Sequence, residues 1–362
     1  MFNEKILKNE EKAIFALRSL YKSYGYLPFK MSKFEEYDLY ATNKDFLVSD
    51  RVITFNDTDG KLLALKPDVT LSIIKNSTDE DCVKNKVYYN ENVYRVSGST
   101  GQFKEIMQAG LECIGNVDSH DTLEVLYLAA KSLETVSPDY VLDVSHMGVL
   151  SAILDEASDS DRFKKAVTAK IAEKNSHEAL ALCSEAGISQ KSTDAIVALA
   201  SMYGSMSDVV ERLSKICTKG RAKAALFELK TVSDFLSDTP FAEKIRFDFS
   251  VVNDMSYYDG IVFKGFLAGV YESVISGGEY GKLLSAMGKS AGAVGFALYL
   301  DLLSELDSSS PEYDVDVLLI YDGATSRDTL FAKKNALIAE GKSVSAQRNI
   351  PKKLRYRELV KI

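Results

Sequence analysis

The chain has 362 residues, of which 46% are hydrophobic and 27% charged, with 44 Lys+Arg against 52 Asp+Glu and a net charge of −8. That length suffices for one large core or two domains, and the acidity disfavours a primary nucleic-acid binder, which needs a concentrated basic surface. No run approaches the roughly 18 apolar residues of a membrane span, and 1-MFNEKILKNEEK-12 lacks the apolar centre of a signal peptide, so the expectation is a cytoplasmic protein.

Residues 3–24 carry Ile14, Leu17, Tyr21 and Tyr24 at three- and four-residue intervals, an amphipathic helix that Gly25 ends. The segment 46-FLVSDRVITFNDTDGKLLAL-65 alternates as strands do and turns at Asp59-Gly60. A loop then leads through 66-KPDVTLSIIKN-76 into a helix that starts near Thr70 or Ser72. Residues 86–114 form a long hairpin around 97-SGSTGQ-102.

The second arm of that hairpin, 106-IMQAGLECIG-115, is the informative one. Side chains alternate across a strand, so Met107, Ala109, Leu111 and Cys113 share an apolar face. Gln108, Gly110 and Glu112 share the other, which reads either as a solvated face or as the lining of a binding site.

Residues 155–240 shift to Ala, Lys, Glu and Ser at helical spacing, a helical insertion. Strands return at 244-KIRFDFSVV-252, and 261-IVFKGFLAGVYESVISGGEYG-281 continues the sheet to Gly277-Gly278. Val294, Leu298 and Leu302 then recur every fourth residue and predict a helix over 291–306. After a linker at 307–314, a strand at 315–321, a helix at 326–341 and a strand at 343–347 make a β-α-β unit. The basic run 348-RNIPKKLRYRELVKI-362 reads as a surface strip, a docking edge for an acidic partner or a residual RNA contact. Cys82, Cys113, Cys183 and Cys217 lack any CxxC pairing, and His120, His146 and His177 are dispersed, so reduced thiols and no metal or cofactor are expected.

Several segments, taken in order, resemble the catalytic domain of histidyl-tRNA synthetase over residues 5–305. They are 65-LKPDVT-70, 93-VYR-95 with 108-QAGLECIG-115, 253-NDMSYYDG-260, 277-GGEYG-281 and 292-GAVGFALYLDLL-303. The resemblance implies an α+β, class II synthetase-like fold: a six-stranded antiparallel sheet flanked by helices, carrying the helical insertion, over residues 1–310. Residues 311–362 would be the small C-terminal extension. It also implies a homodimer built through the N-terminal segment.

The departures from that family shape the functional expectation. Asn253 stands where the synthetase has the arginine that polarises the substrate carboxylate, and Leu302 where motif 3 supplies an arginine to the ATP phosphates. Glu279 replaces the arginine of Gly-Gly-Arg-Tyr, and 95-RVSGS-99 lacks the glutamate that follows the motif 2 arginine. Adenylation needs cations aimed at developing phosphate charge, each such donor being worth roughly 3 kcal/mol. What survives, by resemblance, would hold histidine. Asp68, Thr70 and Gln108 would line the α-amino site, Glu112 and Tyr258 would face the imidazole, Tyr257 would stand beside them, and Arg95 would meet a carboxylate or phosphate.

A synthetase scaffold of this kind is similar to the regulatory subunit of short-form ATP phosphoribosyltransferase, a resemblance carried most closely by 295-GFALYLDLL-303. It implies a non-catalytic subunit in the first step of histidine synthesis, with histidine as effector. The catalytic short subunit would be its partner in a hetero-octamer. A divergent histidyl-tRNA synthetase or amino-acid ligase, and an RNA-binding synthetase paralogue, remain the alternatives.

Overall fold

The computed structural model describes residues 7–44, 47, 51–77, 83–97, 100–252, 257–306 and 312–362. The chain divides into two compact units, Met1–Leu306 and Asp307–Ile362.

The first unit opens with α1 (Asn9–Ser23), β1 (Leu27–Pro28), β2 (Phe34–Glu36), α2 (Tyr37–Thr42), β3 (Thr54–Asn56), β4 (Leu62–Leu65) and α3 (Thr70–Asn76). The long hairpin follows as β5 (Lys84–Val96) and β6 (Phe103–Gly115), then α4 (Ser119–Val136) and β7 (Tyr140–His146). Helices come next: α5 (Met147–Ala157), α6 (Asp161–Ala172), α7 (Ser176–Glu185), α8 (Gln190–Ala200), α9 (Met206–Ser214) and α10 (Gly220–Ser237), with β8 (Tyr203–Gly204) between α8 and α9. The unit closes with β9 (Ile245–Asp248), β10 (Ile261–Leu267), β11 (Ile275–Glu279), α11 (Gly281–Ala286), β12 (Gly292–Tyr299) and a 3-10 turn, Leu300–Leu306.

The main sheet has nine strands in the order β1-β5-β6-β12-β11-β10-β7-β9-β8, wider than the six expected. Pairing is antiparallel except at β1–β5 and β7–β9. One face packs on α4 and α1. Ala109, Leu111 and Cys113 of β6 and Val294, Phe296 and Leu298 of β12 share a core with Leu17, Tyr21, Val125, Leu126, Ala129 and Leu133. Asp118 caps α4, accepting from the His120 amide at 2.9 Å while its own amide is bound by Asp121, so a capping box fixes where the helix starts over the sheet. The other face is closed at one end by α3, β4 and α11. There Val69, Leu71, Ile74, Leu283 and Leu284 pack against Tyr89, Ile114 and Ala293.

Three expectations need correction. Residues 292–299 are a strand, not a helix: Val294 and Leu298 are separated by an even number of residues, so period two fits them as well as a helical turn does. Both faces of β12 are covered, which removes the polar alternation that would have separated the two readings. The strand at 244–252 stops at Asp248, whose carbonyl accepts from the Val251 amide in a turn, although Phe249 and Val251 remain buried. The sheet also continues through Gly277-Gly278 to Glu279 instead of ending at the glycines. Among the described residues no helix is long and apolar enough to cross a membrane.

The second unit holds β13 (Val315–Ile320), α12 (Arg327–Ala339), β14 (Val344–Gln347) and β15 (Tyr356–Lys361). Ser326 caps α12, accepting from the Thr329 amide at 3.1 Å, and Gly341 follows its end with φ +82°. The basic run is not only a surface strip. Its second half is β15, which pairs in parallel with β13 in a sheet ordered β14-β13-β15. Arg355 binds Asp314 at 2.7 Å across that pairing, so part of its basic charge is spent inside the unit.

Candidate functional site

Asp68, Thr70, Arg95, Gln108, Glu112, Tyr257 and Tyr258 all line one cavity of about 230 Å³ on the face of the sheet away from α4. Backbone register explains the convergence. Gln108, Gly110 and Glu112 lie directly opposite Tyr299, Ala297 and Gly295 of β12, and opposite Glu91, Tyr89 and Val87 of β5. Cross-strand partners share a face, so one alternation sets the whole floor.

Glycine makes the room. A Cβ on Gly295 would stand 1.7 Å from Oε2 of Glu112 and 2.5 Å from the Leu111 carbonyl oxygen. One on Gly110 would stand 2.3 Å from the Phe296 carbonyl oxygen and 2.5 Å from the Tyr89 hydroxyl. Any larger residue at either place would displace the groups that line the cavity.

The Asp68–Thr70 loop is held from below. Lys66 is completely buried and pairs with Glu91, while its carbonyl accepts from the Tyr94 amide at 2.9 Å. Arg95 Nε donates to the Pro67 carbonyl at 3.0 Å. Asp68 in turn accepts from the Leu71 amide at 3.0 Å, anchoring the first turn of α3. Burial raises the Asp68 carboxyl above its ordinary range, and the neighbouring Arg95 charge opposes that rise.

Glu112 is the centre of the site. It is 2% exposed, accepts from Thr70 Oγ1 at 2.9 Å on one oxygen and from the Tyr280 hydroxyl at 2.5 Å on the other. Burial pushes its carboxyl up to about 8 despite those two donors, with Asp68 adding to the rise. Gln108 is only 3% exposed and lines the cavity. Its amide can both donate and accept a hydrogen bond.

Tyr257 and Tyr258 form the aromatic wall with Tyr280. Ring centroids are 4.5 Å apart for Tyr257–Tyr258 and 5.7 Å for Tyr257–Tyr280. Burial drives their hydroxyls up, so they remain neutral donors and acceptors. Sequence reading alone did not assign Tyr89, Tyr280 and Tyr299 to the lining, where the structure puts them. A signal existed: Tyr89 shares the period of Glu91 on β5, and Tyr280 lies within the quoted 277-GGEYG-281.

The residues that depart from the synthetase pattern separate. Asn253 lies outside the described residues. Leu302 is packed against the main core and Glu279 is half-buried, and neither lines the cavity. Glu279 instead accepts from the Thr122 hydroxyl and, at 2.7 Å, from the Ile261 amide, tying β11 to α4 and β10. Cys113, Cys183 and Cys217 are free and buried, Cys82 lies outside the described residues, and no metal-binding group occurs among the described residues.

Residues 3–303 match the family model described as Histidyl-tRNA synthetase. The chain belongs to the histidyl-tRNA synthetase family. Within reach of it is a curated relative from Oceanobacillus iheyensis named ATP phosphoribosyltransferase regulatory subunit. That relative is 26% identical over 349 residues, covering 95% of this chain and 85% of its own length. Among solved structures, an ATP phosphoribosyltransferase regulatory subunit/histidyl-tRNA synthetase from Bacillus halodurans superposes with a TM-score of 0.79 at 22% identity, covering 98% of this chain and 93% of that one. An ATP phosphoribosyl transferase (HisG:HisZ) complex from Thermotoga maritima gives 0.61 at 22% identity, covering 80% and 97%. The fold is therefore the mixed, mostly antiparallel class II synthetase-like sheet with its flanking helices.

Proposed function

We propose that this chain is a non-catalytic regulatory subunit of short-form ATP phosphoribosyltransferase, acting in the first step of histidine biosynthesis with a separate catalytic subunit. The observation that carries the reading is the shared name of relatives that match nearly the whole chain, such as the one from Oceanobacillus iheyensis at 95% coverage. The cavity supports it. Its polar lining offers acceptors for an ammonium and an imidazole N–H in Asp68 and Glu112, an amide in Gln108, and tyrosine hydroxyls, which together suit histidine as effector.

The same lining argues against amino-acid activation. Among the described residues Arg95 is the one cation on the cavity wall, and its Nε already donates to the Pro67 carbonyl. A phosphate-centred transition state would find carboxylates where it needs positive charge. We place the subunit in the cytoplasm, as a homodimer alone and a hetero-octamer with its catalytic partner.

The test is assembly and turnover together. Mixed with a short-form catalytic subunit at micromolar concentration, the protein should co-migrate on size exclusion and raise phosphoribosyl transfer to ATP. By itself it should show no histidine-dependent ATP–pyrophosphate exchange. Failure to co-migrate would remove the proposal, and exchange at the rate of an active synthetase would return the ligase reading.

A further inference from the structure

Glu112 is a buried carboxyl without a counter-charge. Its two oxygens accept from Thr70 Oγ1 and from the Tyr280 hydroxyl, both neutral donors. The charged side chain that acts on it is Asp68, an acid, which raises it further. Arg95 lines the same cavity, where its charge acts on Asp68, and it forms no ion pair with Glu112. The other titratable groups of the lining are phenols. Tyr89, Tyr257, Tyr258 and Tyr280 are raised by burial and stay neutral, and Tyr299 adds a further hydroxyl from β12. A desolvated carboxyl among neutral partners keeps its proton, and burial pushes Glu112 up to about 8, so the empty site holds it mostly protonated at pH 7.

We propose that the empty cavity holds Glu112 as a neutral acid and that a ligand N–H displaces its proton to solvent, so that binding at this site is coupled to proton release. This rests on the histidine-pocket reading and deepens it to the way the effector is held. In the step, the Glu112 O–H bond breaks, the proton passes to buffer, and the carboxylate left behind accepts from the ligand. The site is already built for the ionised form. Thr70 and Tyr280 donate to one carboxyl oxygen each, and a ligand N–H adds a third donor; hydrogen bonds to the charged form of a carboxyl favour its ionisation. Asp68 contributes to the rise of Glu112 in the empty site, and a ligand ammonium beside Asp68 cancels that contribution. Because the empty site must lose a proton to bind, affinity increases with pH until the empty site is itself ionised, and is level beyond that.

The experiment is a calorimetric titration of histidine into the full-length protein, alone and with its catalytic subunit, at pH 7 in PIPES, HEPES and Tris. The slope of observed heat against buffer ionisation heat counts the protons released. With the empty-site carboxyl at about 8, wild type should release about one proton per histidine at pH 7 and bind about fivefold more tightly at pH 8. Glu112→Gln should release none and bind equally at both pH values. Infrared difference spectra identify the group: wild type should lose the carbonyl band of a protonated carboxyl when histidine binds, and Glu112→Gln should not. If histidine binds wild type with no proton released and no band lost, this inference is wrong while the histidine reading stands. Release that persists in Glu112→Gln places the proton on another group, Asp68 first, and also overturns it. Where Glu112→Gln no longer binds histidine, the band decides. The one that wild type loses should already be missing from the unliganded variant, and its presence there would overturn the assignment to Glu112. Should histidine fail to bind wild type in either state, the histidine reading and this inference fall together.

Discussion

The hydroxyl of Tyr280 donates to Oε2 of Glu112 at 2.5 Å, joining the residue just past β11 to the middle of β6, and both groups are buried. β12 runs between those strands, and it can do so only because Gly295 leaves the space that the carboxylate fills. The pair therefore depends on three strands at once. It also leaves Glu112 able to change partners, since a ligand N–H can compete for either oxygen.

Replacing Tyr280 by Phe keeps the ring and removes the donor. The buried carboxyl would retain Thr70 alone, and an acceptor left short of a partner costs about 1–3 kcal/mol. Urea denaturation should show a lower midpoint with an unchanged slope. Because the Tyr280 hydrogen bond opposes the rise of the Glu112 carboxyl, the variant should also titrate Glu112 at higher pH than wild type.

Glu112 should make stability fall as pH rises. Its folded-state value of about 8 lies above the ordinary 4.5, so between those limits the folded protein holds a proton that the unfolded chain has released. Stability then declines with pH by at most about 1.4 kcal/mol per unit across that window. Asp68, Asp143 and Glu279 are also raised by burial and act in the same direction. The informative quantity is thus the difference from Glu112→Gln, measured by urea denaturation from pH 5 to 8. Wild type should lose stability relative to Glu112→Gln as pH climbs, and parallel profiles would show that Glu112 stays ionised.

Gly295→Ala asks whether the cavity tolerates one methyl group. The added carbon would lie 1.7 Å from the Glu112 carboxylate and 2.5 Å from the Leu111 carbonyl oxygen, the latter a backbone atom that cannot swing aside. Overpacking of this kind costs about 1–3 kcal/mol, and displacement of Glu112 should abolish histidine binding. Gly323→Ala, where nothing lies within 4 Å of the new carbon, is the control and should change the melting temperature little.

How far the sequence revealed these features depended on how well each one separates competing periods. The face shared by Gln108, Gly110 and Glu112 was readable because three polar or small residues alternate with four apolar ones. What alternation alone left open was whether that face meets solvent or a cavity. That depends on α3, β4 and α11 arriving from distant parts of the chain. β12 was misread because burial on both faces erased its polar register, leaving even-numbered apolar residues that suit a helix equally. β15 was hidden by its charges: Arg357 and, just ahead of the strand, Arg355 stay exposed, and their acidic partners Asp316 and Asp314 lie far away in the chain, in and just ahead of β13. Glu91 pairs with Lys66, a lysine completely buried in the fold, which no composition rule would have placed there.

Leu302→Ala separates the scaffold from the site. Leu302 is half-buried in the Leu300–Leu306 turn, packed against the main core and absent from the cavity wall. Truncating a fully buried leucine costs about 2–5 kcal/mol, and a partly exposed one should fall at or below the low end of that range. The melting temperature should therefore drop. The ligand response should not, because a ligand that binds only the folded state adds RT ln(1 + [L]/Kd), about 2.7 kcal/mol at a hundredfold excess, whatever the starting stability. For a core of this size that increment corresponds to a rise of roughly 4 °C. Thermal-shift titrations with histidine should then give Leu302→Ala the same increment as wild type from a lower baseline, and Glu112→Ala none. A loss of the increment in Leu302→Ala would mean that the turn after β12 reaches the ligand and that its leucine is more than packing.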